Sequence, residues 1–215
     1  MLRSHRIVLI EGGCIATRSG GGPSLNRVER IGRWCGESRR VRLRLLAVAG
    51  WVLLAIACVA VLGVSVDALV AAAGCAVLVA VTVTDLERRI IPNRIILPAL
   101  AAALVVQTLR EPSVEWVVAS AAAGAFFLAL ALVYPAGLGM GDVKLAAFLG
   151  AWLGWDVLFA LIVGSLLGAV GALVVVAGAR EAGWRKTTLP YGPFLAAGGV
   201  VGLFFGDAFL DAWLG

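Results

Sequence analysis

From residue 45 onward the chain alternates long apolar runs with short clusters of charge, proline and glycine. A helix that crosses a bilayer needs about 20 predominantly apolar residues. Seven runs approach that length: 45–64, 66–84, 92–109, 114–134, 142–155, 157–179 and 193–213. The pattern predicts an all-α, polytopic membrane bundle of about seven transmembrane helices. The fifth run is short, and at about 1.5 Å per residue it rises only about 21 Å through a core of roughly 30 Å. It therefore starts below one surface, or it is re-entrant and leaves six full spans. Residues 134–141 before it would then be irregular backbone, which lipid tolerates only beside protein or a water-filled cavity. Pro92 suits the first position of the third helix, where its missing N–H costs nothing. Asp156 is placed to cap the sixth. Gly198, Gly202 and Gly206, and the pair Gly164 and Gly168, recur every four residues, so each set shares a helix face and permits close packing within the chain.

Composition places the chain in the membrane. Of 215 residues 61% are hydrophobic and 14% charged, with a mean hydropathy of +1.00. No soluble domain of this size could bury so much apolar surface. Residues 1–44 differ: they are rich in Arg and Gly, with no apolar region long enough for a secretory signal. They are expected to form a flexible, basic cytoplasmic extension ahead of a membrane-embedded domain over 45–215. The net charge of +5 does not point to nucleic acid, because ten of the 18 Lys and Arg precede Val48. Anionic lipid is the expected partner of that charge. If the amino terminus is cytoplasmic, 17 of the 18 basic residues fall on the cytoplasmic side and only Arg110 falls outside, as positively charged loops require. This gives a multi-pass membrane protein with its amino terminus in the cytoplasm.

Few residues remain for chemistry. The one histidine, His5, lies in the extension, which leaves no Ser-His or Cys-His pair in the membrane part. Cys14, Cys35, Cys58 and Cys75 show no C-x-x-C spacing, and Cys58 and Cys75 sit in apolar runs as small hydrophobes. No metal and no cofactor is expected. Carboxylates beside membrane-length segments are functional candidates by default. Counting crossings puts Asp85, which ends the second helix, and Asp142, which begins the fifth, on the same face. Glu87 and Glu181 lie in loops beside arginines and read as surface partners. Two close carboxylates cannot both ionise, so one serves as base and the other as acid. Gly139 and Gly141 flank Met140 and allow backbone angles and close approaches barred to other residues. Lys144 with Ser165 or Ser120 would make a Ser-Lys pair, but a lysine this near the interface reaches water and stays charged. The same aspartates would also suit a proton- or cation-coupled carrier or pore, although no internal repeat supports one.

Three motifs in order carry a resemblance: Asp85 followed by Ile91-Pro92-Asn93, then Gly139-Met140-Gly141-Asp142-Val143-Lys144, then Pro190-Tyr191-Gly192-Pro193-Phe194. Together they resemble the type IV prepilin peptidases, membrane aspartic peptidases of the G-x-G-D type. The resemblance implies Asp85 and Asp142 as catalytic residues, with Gly139, Gly141, Lys144, Pro92, Asn93, Pro190, Gly192 and Pro193 supporting them. It implies a prepilin or pseudopilin as substrate, its short basic leader cut after glycine on the cytoplasmic side for pilus or type II-like secretion assembly. Larger members carry a cytoplasmic insert with paired C-x-x-C motifs and methylate the new amino terminus. Cys14 and Cys35 stand alone here, so methyltransferase activity is not expected. Homo-oligomerisation is compatible with the sequence but not indicated by it.

Overall fold

The computed structural model describes residues 6–10, 14–18, 25–134, 138–178 and 190–214. The chain divides into two compact units, Met1–Ala49 and Gly50–Gly215. In the first, strand β1 (Arg6–Ile10) pairs antiparallel with β2 (Cys14–Arg18), with Arg6 opposite Arg18 and Ile10 opposite Cys14. Helix α1 (Leu25–Leu62) begins in this unit and ends in the second.

The regular elements described in the second unit are all helices. The unit continues with α2 (Val66–Arg88), α3 (Asn93–Arg110), α4 (Glu115–Val133), α5 (Met140–Leu153), a single 3-10 turn over Gly154–Asp156, α6 (Val157–Gly178) and α7 (Gly192–Leu214). Every one of the seven apolar runs is a helix. Among the described residues five stretches are long and apolar enough to cross a membrane: Val41–Leu62, Val66–Arg88, Glu115–Val133, Met140–Val175 and Gly192–Ala212. The fourth contains both α5 and α6. Helix α3, which carries Arg94, Gln107 and Arg110, is not among them.

The breaks have local causes. Gly63 takes a positive φ of 71°, and Ser65 caps α2 by accepting from the Ala68 N–H at 3.2 Å, one of the amides a helix start leaves unpaired. Arg89 closes α2 in the left-handed region, its N–H donating to the Asp85 carbonyl at 2.7 Å. Pro92 lies one position earlier than expected. It is the extended residue ahead of α3, and its carbonyl accepts from Ile95 and Ile96. Gly154, at φ 62°, reverses the chain from α5 to α6. Asp156 does not make the expected capping bond through Oδ1, which is buried without a hydrogen-bond partner among the described residues. Its carboxyl is turned toward Gly206 of α7, where a Cβ would lie 2.6 Å from its Cγ. The expected irregular stretch 134–141 falls partly outside the described residues, as do Arg180, Glu181, Arg185 and Lys186.

Helix α5 is the central post. Ten of its 14 residues are buried, on every side, as an all-round apolar helix requires. It packs on α3, α4, α6 and α7. Glycine brings the neighbours close: a Cβ on Gly202 would meet that of Ala160 at 2.7 Å, and one on Gly164 would sit 3.1 Å from the Leu195 Cα. The four-residue glycine spacing on α7 therefore serves contact with α6 inside one chain. Cys58 and Cys75 are buried as free thiols. At the end of the bundle where α3 finishes, Arg110 pairs with Asp67 and donates to Gln107 Oε1 at 2.9 Å, while Gln107 Nε2 donates to the Trp152 carbonyl at 2.7 Å. A cavity of about 440 Å³ opens there, lined in part by Asp67, Trp155 and Asp207. It lies at the opposite helix ends from Asp85 and Asp142.

Candidate active site

Asp85 occupies the last turn of α2 and Asp142 the first turn of α5. Although 57 positions apart in sequence, they come together, near enough for the charge of one to act on the other. Both are withdrawn from the surface, with 6% and 9% of their area exposed. A buried carboxylate needs hydrogen-bond donors, and each finds a glycine amide. Gly139 N–H donates to Asp142 Oδ2 at 3.1 Å, and Gly192 N–H donates to Asp85 Oδ2 at the same distance. Both amides belong to helix starts. Asp142 is the third residue of α5 and reaches back to the residue before it, half of a capping box. Asp85 does the same service in trans, taking an unpaired amide in the first turn of α7.

Close approach explains two of the motif glycines. A Cβ on Gly192 would stand 2.7 Å from Asp85 Oδ2, and one on Gly141 would stand 2.9 Å from the Ile91 Cβ. Ile91, buried at 7% exposure, thus packs on the start of α5 and carries the Arg89–Asn93 linker across it. Asn93 completes the link by accepting from Lys144 Nζ at 2.7 Å. The first motif is held against the second by these two contacts. Tyr191 brings the third: its carbonyl accepts from Phe194 and Leu195, and its phenol interacts electrostatically with Asp142. Pro190 precedes α7, and Pro193 is its second residue, where a missing N–H removes only an amide that has no partner within the helix.

The two aspartates lie where α2 ends and where α5 and α7 begin, while α6 continues past them. A Cβ on Gly168 of α6 would lie 2.7 Å from the Tyr191 ring, so the two are level. Helix α6 runs on to Gly178, about 15 Å further at 1.5 Å per residue.

The Ser-Lys arrangement is not formed. Ser165 Oγ pairs with Tyr191 Oη at 3.0 Å, Ser120 Oγ donates to the Ala147 carbonyl at 2.9 Å, and Lys144 reaches Asn93. Lys144→Met is accordingly expected to keep any activity of this site within a few-fold and to cost less than about 1 kcal/mol of stability, as for other exposed charged contacts. A catalytic lysine would instead cost about 10²–10⁴-fold; a loss of that size in a cleavage assay would restore the Ser-Lys reading. Two partnerships escape a reading of the sequence, Gly192 with Asp85 and Tyr191 with Ser165. The only signal for the first is a glycine opening a helix just before a proline.

The model of the type IV leader peptidase family matches residues 72–176, a stretch that holds both aspartates. A prepilin leader peptidase/N-methyltransferase of Burkholderia pseudomallei is 37% identical over 190 residues, covering 82% of this chain and 59% of that protein. The Bacillus subtilis protein of the same name is 34% identical over 163 residues, covering 71% and 62%. That of Pseudomonas putida is 32% identical over 198 residues, covering 86% of this chain and 67% of its own length. The chain belongs to the type IV leader peptidase family. It spans about three fifths of the Burkholderia and Bacillus relatives. No solved structure matches it significantly. Within this family the G-x-G-D segment and the Asp85 segment are the parts that the fold draws together here, and the Pro-Tyr-Gly-Pro segment, beyond the matched stretch, supplies an amide to one of the two aspartates.

Proposed function

We propose that this chain is a membrane aspartic endopeptidase that removes the short basic leader from type IV prepilins or pseudopilins. The observation that carries the reading is the convergence of two buried aspartates, each held through Oδ2 by a glycine amide. Membership of the leader peptidase family supports the choice of substrate. One aspartate, ionised, takes a proton from water as the water oxygen attacks the scissile carbonyl. The other, protonated, delivers its proton to the carbonyl oxygen, giving a neutral gem-diol. On collapse the C–N bond breaks, the leaving amine receives the proton held by the first aspartate, and the second recovers its own from the diol. The dyad titrates as a pair, so neither role is assigned to one residue. The glycine amides fix the carboxyl planes, which lowers the reorganisation needed in the transition state.

The reading extends to topology and specificity. The skew of basic residues supports a cytoplasmic amino terminus and extension, hence an active site opening to the cytoplasm of an inner-membrane protein, where a basic leader would lie. Cleavage follows a glycine, and cutting frees the helix by which pilins assemble. The relatives' second named activity is not extended to this chain, whose four cysteines form no C-x-x-C pair. The test is co-expression with a prepilin of the same genome, read by mobility and amino-terminal sequencing. Loss of the leader after glycine is expected; no cleavage by a well-inserted protein overturns the reading and directs attention to proton flux in liposomes.

A further inference from the structure

The hydroxyl pair formed by Ser165 and Tyr191 lies outside the dyad, and the proposed mechanism makes no use of it. Ser165 is on α6, exposed on the surface of the bundle, and its Oγ lies 3.0 Å from Tyr191 Oη. Each hydroxyl thus has the other as a hydrogen-bond partner. Three residues on from Ser165, and so on the same face of α6, Gly168 offers its bare backbone to the Tyr191 ring. On the other side the ring approaches Phe127 of α4, with centroids 6.4 Å apart. Tyr191 is thus gripped at its hydroxyl and on its face.

Its backbone is the start of α7. The Tyr191 carbonyl accepts from Phe194 and Leu195 at 3.1 and 3.2 Å, and the next residue, Gly192, donates to Asp85 Oδ2. We propose that Ser165 is a positioning residue: through the Tyr191 hydroxyl it sets the first turn of α7 and so holds the Gly192 amide on Asp85. A helix outside the dyad thereby orients one of its carboxylates. Two hydroxyls that merely satisfied each other would affect stability alone. A positioning pair affects turnover and the Gly192 amide as well.

The kinetic part of this inference rests on the peptidase reading; the amide part does not. The experiment compares wild type, Ser165→Ala, Tyr191→Phe, the double variant and Ser165→Thr as full chains in nanodiscs. It reads kcat and KM on a prepilin, thermal midpoint, and hydrogen exchange of the Gly192 amide. Each single variant is expected to lower kcat about five- to tenfold, the scale of one neutral hydrogen bond, with KM within about twofold. The double variant should be no worse than either single, because both remove one shared interaction. Ser165→Thr keeps the hydroxyl and recovers most of the rate. Gly192 exchange should quicken about five- to tenfold in both single variants. Unchanged kcat with unchanged Gly192 exchange, strictly additive losses, or a lowered midpoint with neither effect overturns the inference. If wild type does not cleave, the peptidase reading falls and the Gly192 exchange alone decides the positioning role.

Discussion

Asp142→Asn is expected to abolish leader cleavage, with a loss of at least about 10³-fold, while the protein still inserts and folds. An amide has nearly the volume of the carboxyl and keeps an oxygen to accept from Gly139 N–H, now at 3.1 Å from Oδ2. It cannot take or give the proton on which attack and departure depend. A single general acid or base contributes about 10²–10⁴-fold. Stability should be unchanged or slightly raised, since Asn removes one of two buried, mutually opposed carboxyls. Asp85→Asn should behave alike, retaining Gly192 N–H as its donor. Asp142→Glu should also fail, because one more methylene displaces the carboxyl from a site bounded by Gly139, and a shift of about 1 Å can cost 10²-fold. The measurement is the fraction of prepilin processed, with thermal midpoints of the purified variants beside it. Processing within tenfold of wild type in either Asn variant would remove that aspartate from the mechanism.

The helices and the pairing of the two aspartates were legible in the sequence for one reason. Both depend on where apolar runs stop, and in a bilayer that pattern is enforced over every turn of the helix. Residues 157–179 and 193–213 match α6 (Val157–Gly178) and α7 (Gly192–Leu214) to within a residue. Asp85 and Asp142 then follow by parity, because a helix end has only two faces to choose between. What was not legible depends on rotation about a helix axis. The amide on Asp85 comes from 107 positions away, and no local pattern announces which first-turn N–H will face which carboxyl. Asp156 was misread for the same reason: its position before α6 suits a cap, but packing against Gly206 turns its carboxyl toward α7. Ser165 invited attention only as a nucleophile, since its true neighbour, Tyr191, becomes visible once Gly168 is seen to admit the ring.

A close helix contact lies further along α5, the helix that carries Asp142. Gly150→Val is expected to destabilise the bundle by about 3 kcal/mol or more, the upper end of what overpacking a core costs. A Cβ at Gly150 would meet the Ala119 carbonyl oxygen at 2.5 Å and the Ser120 Cα at 2.7 Å. These are backbone atoms of α4, so no side chain can swing aside; the helices must separate. Separation strains the neighbouring contacts too, where Ser120 Oγ donates to the Ala147 carbonyl at 2.9 Å and a Cβ on Gly124 would sit 3.1 Å from that of Ala147. Membrane helices rely on such close backbone contact because lipid offers no hydrophobic drive between them. Scaled as for a soluble chain of this size, about 3 kcal/mol lowers the thermal midpoint by roughly 6–12 °C. Cleavage should fall with it, since α5 carries Asp142. Gly50→Ala serves as control, for a Cβ there meets nothing within 4 Å and both midpoint and cleavage should hold. A Gly150→Val protein with wild-type midpoint and activity would mean that α4 and α5 do not approach this closely, and that the start of α5 is held by the Ile91 and Asn93 contacts alone.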